Sequence, residues 1–446
     1  MKNPFKKKED KSKADRRESG DAGASEFGEK FAKFFSAEPQ KEKILKHEDF
    51  AKAGDTYYAS VSARFKIAER VFIVLLTFFL LFSIFTNIKA ITYGNFFYFF
   101  RDFGNAIDIE STNYETLSYD VYKKQKFSLY RGGIAAVSPS CVSVYTATGR
   151  RTLKDHAEFS DPYAVCSDKF VLVYDMTGSA FSIYNSFSKV YSETLDAPIS
   201  DAYISDSGVF AVLTRSTEYR SVVMVYNDDM KPIGKYSKNN YAMDISIDAD
   251  GERMAVLYYD VGDGRGRTTV RVYDISERKS SPDVEQNENR ILSEIYLDNV
   301  FPLSCSFLNN GKLSVITDHS VNIYDEKYKL DQSVTYSEQI SALYASERGV
   351  AVAVSSGVLD DINRIIVFDK DGRELYDKLA RGAVREISVL DRYVFIRSDI
   401  SITRLDTKNG GEEKYDIQNG KMLVYDESTA IVCTESKAVY IKFKST

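Results

Sequence analysis

The chain of 446 residues holds 24 Gly, only 8 Pro and no Trp, but 31 Tyr and 28 Phe, a balance that suits strands better than helices and excludes collagenous or proline-rich architectures. Its net charge of −6 hides an asymmetry, since Met1–Lys66 carries 16 Lys+Arg against 12 Asp+Glu and Ala90–Thr446 carries 41 against 52. So acidic a body disfavours nucleic acid as a partner, because affinity for phosphate backbones comes mainly from clustered cations.

In chain order, Met1 to about Asp55 mixes Lys, Glu, Asp, Ser and Gly with few apolar residues, a composition that cannot bury enough surface to offset its ordering entropy. Residues 1–66 therefore read as a mostly disordered, charged, cytoplasmic tail. Phe31, Phe34 and Phe35 stand at helical spacing within it. The run VFIVLLTFFLLFSIFTNI, Val71–Ile88, then carries no charge over 18 residues. As a helix it would be roughly 27 Å long, near the thickness of a bilayer core. The expectation is a transmembrane helix over 67–91. A cleaved signal peptide would not follow so long a tail. Lys46, Lys52, Arg64, Lys66 and Arg70 precede the run, while only Lys89 and Arg101 follow it closely. That bias predicts a cell-membrane protein with a single pass, its tail inside and its body exported. Residues 92–113 then form an aromatic juxtamembrane linker, in which Phe96, Phe97, Tyr98, Phe99 and Phe100 fit an interfacial belt.

From there one pattern recurs, an apolar-x-apolar-aromatic strand ending in a polar turn: VSVYTATG (142–149), FSIYNSFS (181–188), VMVYNDDM (223–230), VRVYDISE (270–277), VNIYDEKY (321–328) and IIVFDKDG (365–372). ITRLDTKNG (402–410) is a weaker copy and AVYIKF (438–443) a truncated one. Each copy follows two short strands joined by a turn, and Gly208, Gly251, Gly311 and Gly349 supply backbone freedom at four of those hairpins. An extended segment follows most copies. Four strands recurring at this spacing predict an all-β, eight-bladed β-propeller over 114–446; seven blades result if a weak copy is misread. The last copy has no outer strand after it, and YETLSYDVY, Tyr114–Tyr122, is the spare strand expected to close the ring.

The hairpin DADGERMAV and the strand-turn VFDKDGRE resemble those of bacterial eight-bladed propellers of the quinoprotein and YVTN-repeat kind. The whole arrangement resembles uncharacterised membrane-anchored propeller proteins of Gram-positive bacteria. The resemblance implies the fold; without the repeat tryptophans and an adjacent cysteine pair, it implies no quinone cofactor.

Residues of catalytic character are sparse. There is no P-loop, HExxH or nucleophile motif, only three His, and four scattered cysteines (Cys141, Cys166, Cys305 and Cys433) that read as small buried hydrophobes, with one or two disulfides as the alternative. No cofactor or metal is expected, since Asp260 and Asp263 fall short of the oxygen count that calcium requires. Strand alternation places three long polar loops on one face: TRSTEYRS (214–221) with Arg215, Glu218 and Tyr219; YDVGDGRGRTT (259–269) with Asp260, Asp263 and Arg265; and VLDDINR (358–364) with Asp360 and Asp361. Irregular loops on a rigid scaffold are where recognition resides, and these eight residues are the candidate binding surface. The expected function is a tethered recognition or scaffold module for an envelope protein or a cell-wall polymer. The alternatives are an envelope enzyme working in the central channel, of quinoprotein or glycan-cleaving type, and a sensor coupled to the tail. Converging carboxylates in the channel would favour the enzyme.

Overall fold

The computed structural model describes residues 50–86 and 116–444, apart from 263–264, 277–289 and 356–361. The chain divides into two units, Met1–Asn105 and Ala106–Thr446.

The first unit contains α1, Phe50–Thr86, an uninterrupted helix of 37 residues. It begins earlier than the tail boundary at residue 66 predicts. The reason is local: FAKAGDTYYASVSARFKIAER contains no Pro and five Ala, so a helix nucleated in the apolar run propagates backwards at little cost. Large apolar side chains from Val71 to Phe82 are exposed without exception, Phe72, Val74, Phe78 and Phe79 among them. Thr77 Oγ1 donates back to Ile73 O (2.8 Å), which satisfies its hydroxyl inside this apolar surface. The predicted span to Ile88 overlaps α1 through Thr86, and Asn87 and Ile88 lie outside the described residues. Among the described residues no helix is long and apolar enough to cross a membrane. The aromatic linker and the three tail phenylalanines also lie outside them.

In the second unit, eight antiparallel sheets of four strands each form the eight blades of a β-propeller. Blade one shows the plan: A (Lys126–Tyr130), B (Gly133–Ser138), C (Cys141–Tyr145) and D (Arg151–His156), hydrogen-bonded in that order. All eight recurrences found in the sequence are C strands. Blade eight has A (Lys421–Asp426), B (Thr429–Cys433) and C (Lys437–Lys442), and its fourth strand is Thr116–Ser118. The closure expected from Tyr114–Tyr122 is thus present but shorter, with three pairs: Thr116↔Val439, Leu117↔Ala438 and Ser118↔Lys437. Beyond Ser118 the chain leaves the ladder. Tyr119 N still reaches Ser436 O (3.3 Å) and its Oη donates to Thr434 O, while Asp120 turns out to pair with Arg151 and Lys154.

The physical content of the repeated pattern is now visible. Its aromatic residue closes the C strand inside the core, as in Tyr184, Tyr226, Tyr273 and Phe368, all essentially inaccessible. The polar residue that follows folds the C–D turn back on itself. Asp325 Oδ1 accepts from the N–H groups of Lys327 (2.9 Å) and Lys329 (2.8 Å), and Asp369 Oδ1 does the same with Asp371 and Arg373. Three residues after it the backbone turns left-handed, at Gly372 (φ 72°) without steric cost and at Tyr328 (φ 61°) despite a side chain.

Alternating apolar positions give every sheet two buried faces, and the core is eight clusters, one at each junction between neighbouring blades. At the junction of blades eight and one, Leu117 and Tyr119 pack with Ile134 and Tyr145 on one side and Ile431 and Tyr440 on the other.

Candidate functional site

Antiparallel order fixes two faces. A–B and C–D turns share one, the tight-turn face; B–C and D–A connections share the other, the loop face. The A strands, innermost in each blade, line the channel between them.

On the loop face, blades three and four build one continuous feature. The B and C strands of blade four, Arg253–Gly262 and Arg265–Asp274, run for ten residues each, against five and six in blade seven. They pair with each other out to Gly262↔Arg265, whereas the flanking A and D strands stop at Tyr241↔Tyr259 and Asp298↔Arg267. The hairpin tip therefore projects beyond its sheet, with Val261 62 % exposed at its end. Around its base lie Tyr241 (42 % exposed) and Phe301 (39 %), the latter edge-on to Tyr259 at 5.0 Å. Arg220 stacks over Tyr241 at 4.9 Å and approaches Asp260 at 4.0 Å, a solvent-screened pair worth little in stability. Aromatic and arginine side chains on a rigid base are the composition of interaction hot spots.

The structure treats the predicted residues unequally. Arg215 and Glu218 are exposed and Tyr219 is half-buried, in a loop ordered by Ser216 Oγ, which accepts from the N–H groups of Glu218 (3.2 Å) and Tyr219 (2.9 Å). Asp260 and Arg265 lie on the projecting hairpin. Asp263, Asp360 and Asp361 lie outside the described residues. Arg220, Tyr241 and Phe301 complete the patch and were not singled out. Arg220 stood inside a quoted segment, but Tyr241 opens the A strand of blade four and Phe301 lies in the D–A connection after that blade, where no charged run draws notice.

The channel is not featureless. Asp201 and Asp244 occupy matching A-strand bulges of blades three and four. Burial and the neighbouring Asp244 carboxylate push Asp201 up to about 7, and burial pushes Asp244 up to about 6. Their oxygens are already engaged. Asp244 accepts from Ser304 Oγ (2.7 Å), Cys305 N (2.8 Å) and its neighbour Ile245 N (2.9 Å), which ties blade four to blade five; Asp201 accepts from Tyr174 Oη of blade two (3.2 Å). Nearer the tight-turn mouth, a cavity of about 570 Å³ is lined by Asp168, Asp206 and Glu347, with Arg131 and Arg348. Burial, then the carboxylates of Asp206 and Asp168, push Glu347 up to about 7 against the opposing pull of Arg348. Among the described residues no group of three or more His, Cys, Asp or Glu is placed to hold a metal ion. The four cysteines are free, three of them buried and Cys166 half-buried, so the disulfide alternative falls away. Burial pushes the Cys166, Cys305 and Cys433 thiols well up, the opposite of a reactive thiolate.

Fold and surface together define a ring-closed, eight-bladed propeller with an irregular loop face. Residues 109–443 match DUF5711, a family of unknown function, and the chain belongs to that family. No curated protein is similar to it in sequence. Among solved structures it is similar to Sqt1 of Saccharomyces cerevisiae (TM-score 0.53, 10 % identity, 74 % of this chain and 99 % of that one) and to BamB of Moraxella catarrhalis (TM-score 0.50, 12 % identity, 75 % and 98 %). At such identities the likeness is one of fold.

Proposed function

We propose that this protein is a membrane-tethered, extracytoplasmic scaffold that presents its loop face to a protein of the cell envelope. The observation that carries the reading is the patch of Arg220, Tyr241, Phe301 and the projecting Val261 hairpin, since exposed aromatic and apolar side chains clustered on a rigid base fit a protein partner better than a sugar polymer. Tethering is supported by the uncovered apolar side chains of α1 and by the cations that precede them. The closing strand, antiparallel to the C strand of blade eight, enters from the tight-turn face. Photoreactive side chains at Glu218 and Arg265 should capture a partner in cells, and those at Asp250, Asn310 and Asp371, on the opposite face, should not. Capture from the second set alone would reject the reading.

The carboxyl groups in the channel favour a second reading, glycoside cleavage, because burial and the neighbouring Asp206 and Asp168 carboxylates push Glu347 up to about 7, the range a general acid needs. Glycan strands incubated with the protein should then be cut, and Glu347→Gln should abolish cutting. Intact strands would retire this alternative.

A further inference from the structure

At the loop-face end of the channel, between blades eight and one, lies a second cavity of about 1180 Å³. It is bounded by the connection from the closing strand to blade one, by the D–A connection entering blade eight and by the B–C turn of blade eight. Its charge runs against that of the acidic body: Lys123, Lys124, Lys126 and Lys421 line it, with Glu435 as the acidic residue. Lys126 is engaged, paired with Asp161 at 2.7 Å and set over the Tyr163 ring at 3.1 Å. Among the described residues, Lys123 and Lys124 are exposed and have no ion-pair partner.

The wall behind the lysines is itself electropositive. Arg397, whose side chain is 9 % exposed, donates to Asn419 Oδ1 (3.3 Å), a lining residue, and pairs with Glu386 (3.1 Å). Glu386 must also serve Lys421 at 3.5 Å and accepts from Met422 N at 2.9 Å. Arg397 and the more exposed Lys421 therefore share one carboxylate, which is 21 % exposed, and the buried Arg397 Nε has no hydrogen-bond partner. An unbalanced charge in a poorly solvated wall acts over a longer range than one in water. It adds to the two free lysines at the rim.

We propose that this cavity binds a phosphate-bearing chain, a phosphodiester or polyphosphate, rather than a single small anion. Three features select that class. The volume far exceeds one phosphate, so the lysines around it can meet several charges in sequence. The accessible donors are ammonium groups, which suit tetrahedral phosphate as point charges, whereas the planar fork that favours carboxylates belongs to Arg397 and is spent on Glu386 and Asn419. The lining offers three half-buried rings, Tyr122, Phe127 and Tyr163, but Lys126 covers Tyr163, Lys154 Nζ lies over Tyr122 at 5.8 Å and Tyr119 packs on Phe127 at 5.0 Å, so bases would find no free stacking platform and nucleic acid is not the occupant. The proposal does not rest on the blade three–four patch.

The test is calorimetric titration of the purified full chain with inorganic tripolyphosphate. Binding should weaken at least 10-fold in Lys123→Ala/Lys124→Ala, and persist in Lys123→Arg/Lys124→Arg and in Lys327→Ala/Lys329→Ala, a pair of exposed lysines on the tight-turn face. Raised salt should weaken it, with a shallower dependence in the alanine pair. Displacement by poly(glycerol phosphate) would place the phosphates in a polymer, and displacement by phosphatidylglycerol vesicles in a lipid surface; both support the site. No binding of tripolyphosphate, equal loss in the Lys327/Lys329 pair, citrate binding as tightly, or a single-stranded oligonucleotide binding more tightly would each overturn the proposal.

Discussion

The junction between blades eight and one and the junction between blades three and four bury the same kind of core, yet they are made differently. At the first, the outer strand comes from the opposite end of the propeller, and the D–A connection that follows it, Tyr119–Gln125, is at seven residues the longest of the eight; it crosses the loop face and brings Lys123 and Lys124 with it. At the second the chain is continuous, and the B–C hairpin of blade four simply outgrows its neighbours. Both candidate sites thus sit where the repeat departs from its own pattern. Positions that repeat are committed to the core and the turns; residues released from that duty are free to meet a partner.

The largest expected effect separates stability from recognition at the two junctions. Leu117 is 4 % exposed and lies between Ile134 and Ile431, so Leu117→Asp sets an unpaired carboxylate in the core that holds the ring shut. The cost should reach about 4 kcal/mol or more, on the order of a 10 °C fall in melting temperature or outright aggregation through the freed edge. A melt unchanged by this substitution would mean that closure contributes nothing.

A smaller effect is expected where the ring is stapled along the channel. Asp244→Ala strips the acceptor from Ser304 Oγ and Cys305 N, leaving a buried N–H without a partner, and should cost about 2–3 kcal/mol by chemical denaturation. Asp201→Ala should cost less, since it releases chiefly a tyrosine hydroxyl. Equal costs would show that cross-blade bonding is not what the buried carboxyls supply.

How much of this was legible in the chain follows the same divide. The eight blades and the borrowed strand could be read because Tyr184, Asp325 or Gly372 each recur at fixed offsets, and recurrence is what one sequence can display. Strand length at the closure could not: YETLSYDVY alternates well throughout, but Asp120 is drawn off the ladder by Arg151 and Lys154 of blade one, which only the closed ring brings near. The channel carboxyls went unnoticed for a related reason. Asp201, Asp206, Asp244 and Glu347 are far apart in sequence and each stands in an ordinary strand or turn, and only the radial arrangement of A strands gathers them.

That gathering has a pH signature. Glu347 and Asp201 are raised to about 7 and Asp244 to about 6, so the folded protein holds protons that the unfolded chain releases near pH 4. Stability from these groups is therefore fully present below about pH 4 and declines as pH rises through 6 to 7. Asp206→Asn should shift the Glu347 titration down toward the ordinary carboxyl range and flatten part of that decline, as followed by carboxyl NMR and by melts at pH 5 and pH 7.5. A flat profile in the parent protein would mean that channel water solvates these groups fully.

The smallest stability effect should come from the feature with the largest expected role in recognition. Residues 260–262 and 265–266 project past both flanking strands, and Val261 is 62 % exposed, so replacing the tip by a two-residue Asn-Gly turn removes no buried contact of the blade three–four core. The melting temperature should move by no more than about 1 °C, because surface changes of this kind lie within roughly 0.5 kcal/mol. Capture of a partner from Glu218 should nevertheless fall, as should capture after Tyr241→Ala, which removes the ring beneath Arg220. If the shortened protein melts normally and still captures its partner, recognition belongs elsewhere on the loop face. If it unfolds, the hairpin is structural after all, and the contrast between the two junctions fails.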